Sequence, residues 1–92
     1  MEISYDAAKN ARNVAERGLS FDQVRDFDFH SARIAIDERR DYGESRYIAV
    51  GYLGERLHVL CFTETSTGIR VISFRKANQR EVYSYGKTRP TD

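Results

Sequence analysis

Four basic side chains lie close together in the sequence after residue 69 and have the chemistry to bind a polyanion. They are Arg70, Arg75, Lys76 and Arg80, which fall within eleven positions. A guanidinium group holds a phosphate through paired hydrogen bonds, and an ammonium group adds a point charge. The spacing predicts either a phosphate-binding surface or a solvated basic face that meets a partner protein.

A pair of charged residues that could also take part in chemistry lies at the start of a predicted strand. Glu44 and Arg46 are two positions apart, so they point to the same side of an extended chain. A carboxylate beside a guanidinium suits a general base next to a phosphate clamp. The loop from Asp37 to Arg46 is rich in both signs of charge, so a solvated loop with weak ion pairs is the alternative interpretation.

These residue types suit the cleavage of RNA. RNA carries its own nucleophile, the 2′-hydroxyl group that distinguishes it from DNA. A protein then has to align that oxygen with the phosphorus atom, stabilise the added negative charge and assist proton transfer. Arginines, a carboxylate and a tyrosine can do this without a metal ion, and we predict no cofactor.

Other kinds of site lack a matching pattern. His30 and His58 are far apart in the sequence, and no two metal ligands have a recognised spacing. The lone Cys61 lies in an apolar run, which predicts a core residue and not a nucleophile. His58 lies between Leu57 and Val59 in a predicted strand, where a structural or exposed histidine and a general base are the two interpretations.

Length and composition predict a single globular domain. The chain has 92 residues, of which 40% are hydrophobic and 32% charged. No apolar run approaches membrane-spanning length and the N-terminus lacks a signal-peptide pattern, so we expect a cytoplasmic protein without a membrane partner. Residues 1–64 carry nine basic and twelve acidic side chains, a charge of −3, whereas residues 65–92 carry six and two, a charge of +4. The positive end is where we expect nucleic acid to bind.

Cap signals and hydrophobic spacing predict three helices. Asp6 and Gly18 bracket a helix from Ala7 to Arg17, which has its apolar residues on one face. Ser20 and Gln23 have the spacing of a capping box, which predicts a second, short helix to about Phe27. A third helix begins at Asn78 and runs to about Tyr85, ending at Gly86. Residues 87–92 are predicted to form a flexible tail.

Alternating hydrophobicity predicts four strands. These are a strand from about Ser31 to Ile36, then Arg46 to Leu53, Arg56 to Glu64 and Ile69 to Phe74. Gly54-Glu55 suits a two-residue hairpin turn, and Gly68 turns the chain again. The predicted fold is α+β, with a four-stranded antiparallel sheet, two N-terminal helices and one C-terminal helix. A short fifth strand from Glu2 to Tyr5 is the alternative.

The predicted strand after Gly68 presents a difficulty for a single site. Strict alternation places Arg70 with Ile72 and Phe74, and Arg75 with Ile69 on the other face. The two arginines therefore converge only if the strand twists or carries a bulge.

Several segments, taken in order, resemble the BrnT family of type II toxin–antitoxin ribonucleases, which is related to the RelE-like toxins. The segments are Asp6-Ala-Ala-Lys9-Asn10 with Asn13, Gly18-Leu-Ser-Phe21, Tyr42-Gly43-Glu44-Ser-Arg46 with Ile48 and Gly51, Phe62-Thr63-Glu64, and Ile69-Arg70-Val-Ile-Ser73-Phe-Arg75-Lys76-Ala77-Asn78 with Arg80-Glu81. One departure is Arg17, where the family usually has a histidine just before the glycine.

This resemblance implies a single RelE-like toxin domain over residues 1–86 that cleaves RNA without metal and arrests translation and growth. It also implies a BrnA-like antitoxin, through which alone the protein would contact operator DNA. The implied catalytic residues are Glu44, Arg46, Arg70 and Arg75. The implied RNA-binding residues are Lys9, Lys76, Arg80 and Tyr85.

Two other functions fit the same sequence. A binding module without catalysis would grip RNA or a protein through the basic end, and its binding would weaken with salt. A protein-interaction domain would accept a partner helix or strand on an uncovered sheet face. Cleavage of RNA separates the toxin hypothesis from both.

Overall fold

The computed structural model describes residues 1–88, which form a five-stranded sheet, two α-helices and one 3₁₀ helix. In chain order the elements are β1 Glu2–Tyr5, α1 Ala7–Arg17, the 3₁₀ helix Phe21–Asp26, β2 Arg33–Ile36, β3 Tyr47–Leu53, β4 Arg56–Glu64, β5 Gly68–Lys76 and α2 Gln79–Thr88. The strand order across the sheet is β1-β5-β4-β3-β2, and only β1 and β5 are parallel. The predicted α+β class is confirmed. The short fifth strand from Glu2 to Tyr5, given as the alternative, is present as β1. The purely antiparallel four-stranded sheet is wrong, because β1 pairs in parallel with β5.

The first helix has the predicted bounds because both of its caps form. The Asp6 carboxylate accepts a hydrogen bond from the Ala8 N–H, and Gly18 closes the helix at φ +65°. The capping box of Ser20 and Gln23 also forms, with the Ser20 N–H donating to Gln23 Oε1 over 2.9 Å. The short helix predicted after that cap is a 3₁₀ helix from Phe21 to Asp26.

Glycines allow two tight backbone passages. Gly54, at φ +63°, begins the two-residue turn that joins β3 to β4, which confirms the predicted hairpin. Gly68 starts β5 opposite Glu2, and a Cβ atom at this position would collide with the Glu2 carbonyl oxygen. Glycine therefore permits the close approach of β1, in addition to the turn that the sequence suggested.

The main core lies between the 3₁₀ helix and one face of the sheet, which we call the core face. The helix buries Phe21 and Val24 against strand residues such as Leu60, Phe62 and Phe74. Two asparagines of α1 connect that helix to its neighbours through side-chain bonds. Asn10 accepts from the Phe21 N–H over 2.8 Å, and Asn13 donates to the Leu19 and Phe74 carbonyl oxygens over 2.8 and 2.9 Å.

A smaller core lies on the opposite face, which we call the arginine face. There α2 packs Tyr85 in the cluster with Leu57, Val59 and Ala77. The helix continues through Gly86 to Thr88, so the predicted end at Gly86 is wrong. Residues 87 and 88 belong to the helix, and the rest of the predicted tail lies outside the described residues. No helix within residues 1–88 is both long and apolar enough to cross a membrane.

A one-residue bulge in β5 changes which side chains share a face. Phe62 pairs with Val71, whereas the preceding residue Cys61 pairs with Ser73, so Ile72 is an extra residue in β5. Alternation is therefore reset in the middle of the strand. As a result Ile69, Val71 and Phe74 all enter the main core.

Candidate active site

The bulge brings Arg70 and Arg75 onto the arginine face. Arg70 pairs with Thr63 and Arg75 pairs with Val59, and these two β4 residues share a face because they are four positions apart. Strict alternation predicted opposite faces for the two arginines, and the bulge at Ile72 is the reason that this does not occur. The backbones of the two arginines are about 13 Å apart, because their partners in β4 are four positions apart.

Arg46 lies in the same cross-strand row as Arg70. Tyr47 pairs with Phe62, so Arg46, one residue earlier, lies beside Thr63, which in turn pairs with Arg70. Arg70 is exposed, and no acid among residues 1–88 forms a salt bridge with it. The row thus places two guanidinium groups on either side of a threonine.

Glu44 and Arg46 lie at the start of this row. Glu44 Oε1 is 4.0 Å from Arg46 Nη2, and half of the Glu44 side chain is exposed. The Arg46 guanidinium stacks on the Tyr42 ring, with 4.1 Å between its central carbon and the ring centroid. The Arg46 Nε is buried and has no hydrogen-bond partner among the described residues. The carboxylate is therefore accessible to solvent beside an arginine that is held mainly by stacking.

Arg75 is held by an acid from α2. Its Nη1 and Nη2 donate to the two carboxylate oxygens of Glu81, each over 2.8 Å, and Nη1 also donates to the Lys76 carbonyl oxygen. The bond with Glu81 raises the pKa of Arg75, while burial and the positive charge of Arg39 act against the rise. A guanidinium has five N–H donors, so two remain for a ligand. The Arg75 side chain is thus fixed in position while two of its N–H groups remain free to donate.

Cys61 forms part of the floor of the site, and four charged side chains act on it. Burial raises the pKa of this thiol and the charge of Asp37 raises it further, whereas Arg46, Arg39 and Lys9 oppose the rise. The cysteine is buried, as the sequence predicted, and is a packing residue. Lys9 is thus near enough to Cys61 for its charge to act on the thiol.

Lys9 reaches the site from α1. It lines a surface cavity of about 280 Å³ between α1 and the bulge, together with Arg17, Ile72 and Ser73. Arg17, the position at which the resemblance implied a histidine, therefore lies close to the candidate site. Any contribution of that position is made by a guanidinium in this chain.

The other three predicted RNA-binding residues lie apart from the row of Arg46 and Arg70. Lys76 pairs with His58 on the core face, and Arg80 is exposed in the first turn of α2. Tyr85 is only 5% exposed, and its hydroxyl donates to the Ser31 carbonyl oxygen over 2.9 Å. Tyr85 is therefore a core residue. Its assignment to RNA binding is corrected, because neither the ring nor the hydroxyl is available to a ligand.

His58 has the structural role that the sequence offered as one of two interpretations. Its ring is 3% exposed, lies 5.3 Å from the Phe74 ring and has Nδ1 2.9 Å from the Arg56 carbonyl oxygen. Burial lowers the pKa of His58. The ring faces the core face, away from the arginines, so the general-base interpretation is wrong.

Sequence reasoning missed two kinds of residue at this site. Asp37 and Arg39 were read only as members of a charged loop, although alternation along β2 gives Asp37 the same side as Ala35. Glu81 was not predicted to be a site residue. The signal that could have identified it is its distance of six positions from Arg75, across the start of α2.

The described residues contain no group of three or more His, Cys, Asp or Glu side chains arranged to hold a metal ion. The family comparison gives a clear match: residues 5–81 match the model of the ribonuclease toxin, BrnT, of type II toxin–antitoxin systems. No curated protein is similar enough to this chain to count as a match. Because the matched segment covers most of the 92 residues, the chain belongs to the BrnT family of ribonuclease toxins of type II toxin–antitoxin systems.

Proposed function

We propose that this toxin is a metal-independent endoribonuclease that cuts RNA by attack of a ribose 2′-oxygen on the adjacent phosphorus. The attacking hydroxyl loses its proton, the bond from phosphorus to the 5′-oxygen breaks, and that oxygen is protonated as it leaves. The products are a 2′,3′-cyclic phosphate and a 5′-hydroxyl end. The observation that carries the proposal is the bulge at Ile72, which puts Arg70 and Arg75 on the face that also carries Arg46.

We assign Arg46 and Arg70 to the scissile phosphate. They flank Thr63 in one row, so a phosphate above that residue can receive hydrogen bonds from both sides. The phosphorane-like transition state carries more negative charge on its oxygens than the ground state does. Two guanidinium groups therefore stabilise the transition state more strongly than the substrate.

We assign Glu44 to proton transfer. Its carboxylate is half exposed and close to Arg46, so it can reach the 2′-hydroxyl of a ribose whose phosphate is bound by that arginine. A carboxylate is a weak base, and its contribution comes from position, since it removes the need for a solvent base to diffuse in.

We assign Arg75 to a phosphate next to the scissile one. Its backbone is about 13 Å from that of Arg70, a separation that suits contacts to different phosphates along the strand. The Glu81 carboxylate fixes the guanidinium before RNA arrives, which reduces the side-chain entropy lost on binding. Lys9 extends the positive surface toward α1, and the exposed Arg80 extends it along α2. Lys76 lies on the core face, so we assign it no role in RNA binding.

We propose that a BrnA-like antitoxin neutralises the toxin and that operator DNA is contacted only through the complex of the two. The arginine face is positively charged and partly uncovered, so an acidic antitoxin segment laid across it would exclude RNA by competition. The toxin would then act in the cytoplasm, where its RNA substrates and the translation machinery are found.

The test is cleavage of a defined RNA by antitoxin-free protein in the presence of a chelator. We expect cutting with a cyclic phosphate at the new end, and no cutting where the ribose at the scissile position is replaced by deoxyribose. Arg70→Ala should lower kcat/KM by about 100-fold, the usual effect of removing one transition-state donor. Arg75→Ala should lower kcat/KM mainly by raising KM, because it removes a contact to a neighbouring phosphate. Arg25→Ala, which removes the same charge from the 3₁₀ helix, is the control and should leave kcat/KM unchanged.

Two results would overturn the proposal. One is wild-type cleavage by both Arg70→Ala and Arg75→Ala, which would mean that the arginine face is not the site. The other is binding of RNA without any cut product, which would favour the non-catalytic binding module.

A further inference from the structure

The loop between β2 and β3 begins with a buried acid. The Asp37 N–H donates to the Arg46 carbonyl oxygen over 2.7 Å, which extends the β2–β3 pairing by one step. The Asp37 side chain is only 1% exposed. A buried carboxylate is costly unless its oxygens are paired, so its partners show what it stabilises.

Those partners are two side chains of the same loop. Asp37 accepts from the Nε and Nη2 atoms of Arg39, each over 2.8 Å, and from the Arg39 backbone N–H over 3.1 Å. It also accepts from the Tyr42 hydroxyl over 3.0 Å. The inner edge of the Arg39 guanidinium is therefore fixed on the carboxylate. The side chain as a whole is still 72% exposed, so its outer N–H groups face solvent.

The same acid also supports Arg46 indirectly. Tyr42, which is held by Asp37 through its hydroxyl, provides the ring on which the Arg46 guanidinium stacks at 4.1 Å. One carboxylate thus positions a guanidinium by direct bonds and a second one through an aromatic ring. The Arg39 guanidinium is thus held in a fixed position while most of the side chain remains exposed, which points to a ligand for Arg39.

Arg39 lies on the same face of the sheet as the candidate site, because its anchor Asp37 pairs with Arg46. In agreement with this placement, the charge of Arg39 acts on Arg75 and on Cys61, which lies in the floor of the arginine face. Arg39 follows the edge strand β2, whereas Arg75 lies on β5, and β3 and β4 lie between these two strands. Arg39 and Arg75 therefore border the site from two sides.

We propose that Arg39 forms an additional phosphate-binding subsite for RNA on the arginine face, and that Asp37 is the residue that positions it. The subsite takes a backbone phosphate next to the one bound by Arg46 and Arg70. This inference rests on the proposed function, since it extends the RNA path of the same site. Arg39 is a binding residue, whereas Asp37 acts through Arg39 and Tyr42.

The test measures the affinity of the toxin for a 2′-O-methyl RNA oligonucleotide, which cannot be cut, at several salt concentrations. We expect Arg39→Ala to raise Kd by about tenfold and to reduce the slope of log Kd against log salt by about 0.7, the value for one lost phosphate contact on a single strand. Arg39→Lys keeps the charge and should keep the slope, but it cannot bind Asp37 in a fork and should give an intermediate Kd.

Asp37→Asn tests positioning separately from charge. It keeps the positive charge of Arg39 but removes the anchor, so we expect a higher Kd with a nearly unchanged slope. In the double variant with Arg39→Ala, the Asp37→Asn change should raise Kd further by much less than it does alone, because the two residues act together. Arg25→Ala is the control and should leave both Kd and slope unchanged.

The outcomes separate this inference from the proposed function. If Arg39→Ala binds with the wild-type Kd and the wild-type slope, the subsite is wrong, whatever the cleavage assay gives. If wild-type protein binds the oligonucleotide with the expected dependence on Arg39 but never cuts an ordinary RNA, the catalytic proposal is wrong and the subsite is supported. Melting curves of Arg39→Ala, an exposed position, verify that the variant is folded.

Discussion

At the scale of single residues, acids decide where the arginines of this toxin point. Glu81 binds Arg75 with both oxygens and at the same time accepts the Asn78 N–H over 2.9 Å at the start of α2. Asp37 performs a similar task for Arg39 on the other side of the site. Each acid neutralises part of the positive charge. In return, each fixes a guanidinium that would otherwise sample many rotamers in water.

The pH dependence of stability tests the role of Asp37. Hydrogen bonds from Arg39 hold the pKa of the Asp37 carboxyl well below its usual range, although burial acts in the opposite direction. Because the folded pKa is below the unfolded value of about 3.9, the ionised carboxylate stabilises the fold above that pH, and the effect is lost as the pH falls through the folded pKa. Asp37→Asn should therefore lower the Tm at pH 7 by several degrees.

The difference in Tm between Asp37→Asn and the wild type should shrink as the pH is lowered from about 4 toward 2. Thermal melts followed by circular dichroism across this range give the measurement. A difference that stays constant from pH 7 to pH 2 would mean that the carboxylate charge is not the source of the stability.

At the scale of elements, local signals predicted α1, the β3–β4 hairpin and the strand positions, because caps, turns and alternation act over a few residues. Local signals could not predict which strand pairs with β1, because Glu2 and Gly68 are far apart in the sequence and meet only in the folded sheet. The bulge at Ile72 was also hidden, because nothing in the residue types marks which apolar residue is extra. Sequence reasoning therefore proposed both arginines as site residues but could not place them on one face.

Two glycine substitutions test the element boundaries. Gly68→Ala should lower the free energy of unfolding by about 2–4 kcal/mol, because the new Cβ would meet the Glu2 backbone and push β1 off the sheet. Gly86→Ala is the matched comparison. A Cβ there meets nothing within 4 Å and the helix continues past it, so this change should raise the free energy of unfolding by about 0.5–1 kcal/mol.

Urea denaturation of both variants gives these free energies. A destabilising Gly86→Ala would mean that α2 ends at Gly86, as the sequence suggested. A neutral Gly68→Ala would mean that β1 does not pair closely with β5.

At the scale of the whole molecule, folding brings together basic residues that lie in oppositely charged segments of the sequence. Residues 1–64 carry a net charge of −3, yet Arg39 and Arg46 come from this segment and lie beside arginines of the basic segment. The charge count along the chain locates the basic end but gives no sign of Arg39 and Arg46, two of the four guanidinium groups of the candidate site. Only the sheet order, which places β5 two strands from β3, brings the two sets together.

The edge strand β2 offers a surface for self-association of the whole molecule. β2 is an edge strand whose four residues are all exposed, and Ile34 is 48% exposed on it. An exposed apolar edge favours self-association. We expect Ile34→Lys to reduce the concentration-dependent light scattering of the free toxin while leaving kcat/KM for RNA unchanged, since Ile34 lies on the core face. Equal scattering by the variant and the wild type would mean that this edge is not the route of association.

The extra residue in β5 also restricts where relatives of this chain can tolerate insertions and deletions. Loss of the Ile72 codon would restore simple alternation, turn Arg70 inward among Phe62 and its neighbours, and leave a cation without water. A codon gained or lost at the Gly54 turn, at the far end of the hairpin, would not have that effect. Insertions and deletions among relatives should therefore accumulate at that turn and be absent between Ile69 and Lys76. A relative with a deletion between these two positions should have lost its nuclease activity.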